Sequence, residues 1–154
     1  MAKFDYYLFL DYSEELIGHI IISGNKVDFI LPRISKFKHY KELNNKLAYL
    51  HSIKKVINSN KLVELIYEVK ILPLRKSIEL FSRILSFLHQ NSGKRIFMSI
   101  DNNQFKSFSM VVKEFINNKN LKIVKEGELR KDTPEHKMSL VIDTLLNIER
   151  RKND

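Results

Sequence analysis

From the N-terminus, short apolar runs alternate with stretches of helical spacing, and this pattern predicts the order of elements. Residues 4–11, FDYYLFLD, are aromatic and strand-like, and residues 16–23, LIGHIIIS, are β-branched and apolar. The pair GN at 24–25 reads as a turn before KVDFIL, 26–31, where Val27, Phe29 and Leu31 alternate ahead of Pro32. These segments predict a three-stranded antiparallel meander. From Tyr40 to Ser59, Leu43, Leu47, Leu50, Ile53 and Ile57 recur at helical spacing. The β-branched stretch KLVELIYEVK, 61–70, predicts a strand.

Leu74, Ile78, Phe81, Leu85 and Leu88 then mark a helix that stops near NSG, with Gly93 as its cap. KRIFMSID, 94–101, predicts a strand. Phe105, Phe108, Val112 and Phe115 mark another helix, and LKIVKEG, 121–127, a further strand. The last helix opens at Asp132 or Thr133 as N-cap, carries Pro134 and Glu135 in its first turn, and runs to about Arg150. Its core stripe is Met138, Val141, Leu145 and Ile148.

The order β-β-β-α-β-α-β-α-β-α predicts an α/β fold. Its mixed sheet is antiparallel on one side, parallel on the other, and flanked by helices. The 154 residues are most simply one domain, 1–154, large enough to need no disulfide or metal staple. The absence of Cys excludes thiolate metal sites and disulfides. No apolar run approaches the ~20 residues of a membrane span. The opening MAKFDYYLFLDYSEE reads as a strand and not a leader, so a cytoplasmic protein without a membrane partner is expected. Oligomeric state stays open, a homodimer being one option.

A formal charge of +9 points to a polyanionic partner, most naturally nucleic acid. A Lys-rich composition set by an AT-rich genome or a hot habitat would give the same excess. No Gly-rich phosphate loop, G-x-S-x-G elbow or H-E-x-x-H pair is present.

Three aspartates hold comparable places. Asp11 ends the strand YLFLD, Asp101 ends RIFMSID, and Asp143 lies on the last helix among Leu140, Val141, Ile142, Leu145 and Leu146. In α/β sheets, sites form at strand carboxyl ends. Converging carboxylates repel and raise one another's pKa unless a cation neutralises them. An all-oxygen set suits Mg²⁺ or Mn²⁺, and two such ions can drive phosphodiester hydrolysis. Each residue also has a plainer reading: Asp11 as a turn starter, Asp101 as a helix cap, Asp143 on a solvated face.

The arrangement resembles the ribonuclease H-like superfamily. More narrowly, it is similar to the uncharacterised family there that opens with Asp-Glu-Ser and closes with a Gln-x-Ala-Asp-Leu helix. LFLDYSEE aligns Asp11 and Ser13, FMSIDN aligns Asp101, and SLVIDTL aligns Asp143. The resemblance implies a metal-dependent nuclease with Asp11, Asp101 and Asp143 as catalytic ligands. It also implies a fourth acidic ligand, for which Glu42 is the candidate and Glu14 and Glu64 are rivals. Tyr12, Leu140 and Ile142 stand where the family has Glu, Gln and Ala. These departures motivate the alternative of a non-catalytic nucleic-acid-binding or assembly module on the same fold.

For the nucleic acid itself, Arg33, Lys36, Lys38, Tyr40 and Lys41, with Arg150 and Arg151 of the tail, are the candidate contacts. Phe37, Tyr40 and Tyr49 are interleaved among these cations, either as stacking platforms or as core. His136, two turns before Asp143, is either a proton shuttle or a surface residue.

Overall fold

The structure, a computed structural model, describes residues 3–152, so the first and last two positions of the expected 1–154 domain lie outside it. Strands β1 (Tyr6–Ser13) and β2 (Leu16–Ser23) form an antiparallel hairpin. The chain then leaves the sheet for a helical insertion: α1 (Val27–Ile30), 3₁₀ turns at Leu31–Ile34 and Tyr40–Glu42, α2 (Lys46–Ser59) and α3 (Leu62–Leu65). β3 (Glu68–Pro73) returns antiparallel to β2. After α4 (Ser77–Gln90), β4 (Ile96–Ile100) pairs parallel to β1. Beyond α5 (Asn102–Phe115), β5 (Leu121–Lys125) pairs parallel to β4, and α6 (Pro134–Lys152) closes the fold.

The sheet order is β3-β2-β1-β4-β5, the mixed α/β architecture expected from the sequence. Two apolar layers cover it. Tyr7 and Phe9 of β1 pack under α6 and the insertion; Leu8 and Leu10 pack under α4 and α5. This period of two decides which way every side chain at a strand end points. Among the described residues no helix is long and apolar enough to cross a membrane.

Several boundaries differ from the sequence pattern. Residues 26–31 are helical, not a third meander strand. The residues they bury are Val27 and Ile30, followed by Ile34 in the next turn, while Phe29 is 57% exposed. Over six residues, alternation and helical spacing share positions, and tertiary packing selects the helix. The stretch 61–70, expected as one strand, is divided. Leu62–Leu65 form the short α3, with Leu62 buried, and β3 begins only at Glu68. The helix expected from Tyr40 begins only at Lys46, as α2, where Asn45 Oδ1 accepts the Ala48 N–H at 3.1 Å. In α4 the buried stripe is Leu80, Ile84, Phe87 and Leu88, leaving Ile78 exposed.

The start of α6 is as expected, with Thr133 Oγ1 accepting the His136 N–H at 3.2 Å. Its burial is wider than one stripe. Met138 through Thr144, then Leu146, Asn147 and Ile148, are all buried, because α6 lies between the sheet and the insertion. That location explains why Asp143 sits in an apolar run: the helix has little wet surface there.

Gly18 of β2, paired with Asp11, lets α6 approach this closely. A Cβ at Gly18 would meet Ile71 Cγ1 at 3.0 Å, and Leu146 Cδ2 and the Lys70 carbonyl oxygen at 3.1 Å. Gly18→Val is therefore expected to lower stability by about 1–3 kcal/mol through overpacking, measurable as a lower urea midpoint. An unchanged midpoint would mean α6 is free to shift.

On the opposite face, His19 of β2 is fully buried with Nε2 2.6 Å from Glu68 Oε2. Arg83 of α4 donates its Nε–H to the same carboxylate at 3.0 and 3.1 Å.

Candidate metal centre

The register of the parallel strands builds the site. Leu10 of β1 lies beside Ile100 of β4, which lies beside Lys125 of β5. The residue after each is acidic: Asp101 and Glu126 directly follow β4 and β5, while Asp11, expected to end its strand, lies within β1, which continues to Ser13. Alternation sets the direction of Asp11, and the cap of α5 and the turn after β5 bring Asp101 and Glu126 to it. Phe9, Phe97 and Val124 belong to the α6 layer, and Asp11, two residues after Phe9 in β1, turns the same way. At least one oxygen from each carboxylate lies within 4.8 Å of the other two.

Local bonds hold each member. The Asp101 N–H donates to the Leu10 carbonyl at 2.9 Å, and Asp101 Oδ1 caps α5 by accepting the Asn103 N–H at 2.9 Å. Its cap role and its place in the cluster coexist, since the cap uses one carboxylate oxygen. Asp11 Oδ1 accepts the Tyr12 N–H at 2.8 Å. Glu126 opens a 3₁₀ turn, Glu126–Glu128, pinned where Asn102 Oδ1 accepts the Gly127 N–H at 2.9 Å.

The cluster is electrostatically tense. Burial, then the charges of Glu126, Asp143 and Asp101, pushes the Asp11 carboxyl well above its ordinary range. Burial and the charges of Asp101 and Asp143 push Glu126 up to about 7, with Lys41 opposing. Asp143 is raised by burial, partly offset by the Tyr40 N–H, His39 and Lys41. Three close oxygens with no nitrogen or sulfur donor among them form a hard set, which fits Mg²⁺ or Mn²⁺.

Asp143 lies on the same side of the sheet but outside this trio. It is 7% exposed, and its Oδ2 accepts the Tyr40 N–H at 2.9 Å. Glu42 is exposed on the Tyr40–Glu42 turn and borders a neighbouring cavity with Lys38, not the carboxylate cleft. The third acid of the trio is Glu126, which is not among the residues expected from the sequence. Its signal is there: a strand, LKIVK, followed at once by an acid, the same pattern that marks Asp11 and Asp101.

The carboxylates line a cleft of about 520 Å³ with a basic rim of Lys41, Lys46, Arg150 and Arg151. The sequence pattern points to three of these cations and not to Lys46. Arg33 folds back to the Phe29 carbonyl, and Arg33, Lys36 and Lys38 do not line this cleft. Tyr40 is no stacking platform. The residue is 4% exposed, with Lys46 Nζ 5.7 Å and Arg150 Cζ 5.5 Å from its ring centroid. Its hydroxyl accepts Arg151 Nη2–H at 2.8 Å. Phe37 is likewise buried, and the Tyr49 hydroxyl is 3.0 Å from Thr144 Oγ1, so the interleaved aromatics serve the core. His136 borders two smaller cavities beside the cleft.

The sequence matches no protein-family model and no curated protein. Among solved structures, the chain is similar to one from the complex of PCNA with RNase HII of Archaeoglobus fulgidus. The TM-score is 0.48 at 8% identity, covering 97% of this chain and 73% of that one. What the site can do follows from its own side chains.

Proposed function

We propose that the chain is a divalent-cation-dependent phosphodiesterase acting on nucleic acid, of ribonuclease H-like type. The observation that carries this reading is the row formed by Asp11 near the C-terminal end of β1 and by Asp101 and Glu126 directly after β4 and β5, three adjacent parallel strands, under a cationic rim. A negative floor and positive rim suit a ligand that is itself an anion bridged by a cation.

In this reading Asp11, Asp101 and Glu126 hold the ion. Mg²⁺ or Mn²⁺ bound there supplies Lewis-acid polarisation of a phosphoryl oxygen and a water activated for attack. Lys41, Lys46, Arg150 and Arg151 neutralise the flanking phosphates and orient the strand. Tyr40, packed beneath Arg150 and bonded to Arg151, fixes two of those cations. The trio accounts for one ion; the two-ion arrangement expected from the sequence counts Asp143 as a ligand, whereas Asp143 lies outside the trio.

The test is incubation of purified protein with single- and double-stranded DNA, RNA and an RNA–DNA hybrid, in Mn²⁺, Mg²⁺ or EDTA. Cleavage in either metal and none in EDTA is the expected result. Failure to cut any substrate, with no Mn²⁺ binding by calorimetry, would overturn the reading. Salt-dependent binding without cleavage would favour the non-catalytic module instead.

A further inference from the structure

We infer that Asp143 is a positioning residue, which anchors the Tyr40–Glu42 turn of the insertion and so sets Lys41 over the carboxylate row to meet a phosphate. The inference rests on the reading of that row as a cation and phosphodiester site.

The hydrogen bond from the Tyr40 N–H to Asp143 Oδ2, 2.9 Å, is buried and joins residues 103 apart in the chain. Between Ile34 and Lys46 the only regular structure among the described residues is this single 3₁₀ turn. A segment with so few backbone bonds of its own takes its position from side-chain anchors. Removing the acceptor would leave a buried N–H without a partner, and the full desolvation cost of that group would fall on the turn. The helix side of the bond is itself held, since Asn147 Nδ2–H donates to the Asp143 carbonyl at 2.8 Å.

The residues flanking Tyr40 are the ones that reach the cleft. His39 and Lys41 both line it, and Lys41 sits close enough that its charge opposes the rise of both Glu126 and Asp143. Asp143, by contrast, lies outside the trio whose oxygens come within 4.8 Å of one another. The geometry therefore gives Asp143 a structural partner in Tyr40 and gives the reacting phosphate a cation in Lys41.

Asp143→Asn keeps an acceptor oxygen for Tyr40 but removes the charge a metal ligand needs; Asp143→Ala removes both. Hydrogen exchange at the Tyr40 amide, Mn²⁺ affinity by calorimetry and kcat/KM are read for each, beside Lys41→Ala. In Asp143→Asn, Tyr40 protection is expected to stay within about threefold of wild type, because the bond survives, and Mn²⁺ affinity is expected to fall less than in Asp101→Asn, because a neighbouring charge and not a ligand is lost. In Asp143→Ala, protection is expected to fall at least about tenfold, the equivalent of one lost buried hydrogen bond. Lys41→Ala is expected to keep Tyr40 protection while kcat/KM drops about tenfold, the equivalent of one charge-assisted contact. The double variant Asp143→Ala, Lys41→Ala should lose no more kcat/KM than Asp143→Ala alone, since both act through one group.

A loss of Mn²⁺ affinity in Asp143→Asn as large as in Asp101→Asn would make Asp143 a ligand and overturn the inference. So would full Tyr40 protection in Asp143→Ala. Should wild type bind no Mn²⁺, the reading of the carboxylate row fails, while the Tyr40 amide still decides whether Asp143 anchors the turn.

Discussion

Asp11→Asn is expected to melt higher than wild type while its metal-dependent cleavage falls by roughly two to three orders of magnitude. Asp11 is 6% exposed and shares its pocket with Asp101 and Glu126, so its ionised form is opposed by both burial and like charge. The neutral isostere removes that repulsion and still offers an oxygen to the Tyr12 N–H. A gain of about 1–2 kcal/mol would raise Tm by roughly 2–8 °C in a chain of this size. A melt at pH 8 in EDTA, beside an activity assay in Mn²⁺, reads both quantities. Opposite signs in stability and activity are the signature of a site held under strain for function. An unchanged or lower Tm would show that the carboxylates do not oppose one another.

Without divalent cations, stability is expected to fall as pH rises from 4.5 through about 7, and Mn²⁺ is expected to restore it mainly at the upper end. The sign follows from linkage. Glu126 rises from 4.5 to about 7 on folding, so between those values the folded chain holds more protons than the unfolded one. Stability is then greatest below the unfolded pKa and is lost as pH passes the folded one. The rise at Glu126 alone corresponds to on the order of 3 kcal/mol, and Asp11 and Asp143 shift in the same direction. An ion at about 100 times its dissociation constant would add about 2.7 kcal/mol once the carboxylates are ionised.

His19 and Glu68 act oppositely. Burial lowers the His19 pKa despite Glu68, and Arg83 and His19 together lower that of Glu68 against its own burial. Both groups favour folding above their unfolded values, and that contribution is lost as pH falls through the folded ones. They sit beneath α4, away from the cleft, so the difference between melts with and without Mn²⁺ isolates the carboxylate row. A Mn²⁺ stabilisation as large at pH 5 as at pH 8 would place ion binding elsewhere.

Particular residues show how far pattern reaches. Asp11 and Asp101 are legible because an acid that closes an apolar run is a local feature, visible in a few consecutive residues, even though β1 itself continues past Asp11 to Ser13. Glu126 carries the same local mark, yet LKIVKEG gives no hint that β5 lies beside β4 in matching register. The insertion between β2 and β3 departs from the expected strand at Val27–Ile30 because short apolar runs satisfy two periods at once. Whether Phe37 and Tyr40 stack on a ligand or fill the core depends on which face of the insertion meets α6, and that contact leaves no mark on the local pattern.

The sequence by itself determined the α/β class, the neighbouring strands β1 and β4 with the acids that close their apolar runs, the capped start of α6 and the basic charge. Each of these is set by neighbours within a few residues or by composition. Only the tertiary structure decided that Glu126 joins Asp11 and Asp101, that Glu42 does not, and that Asp143 bonds to Tyr40. Those outcomes depend on strand register and on a helix buried from two sides, which bring together atoms from opposite ends of the chain.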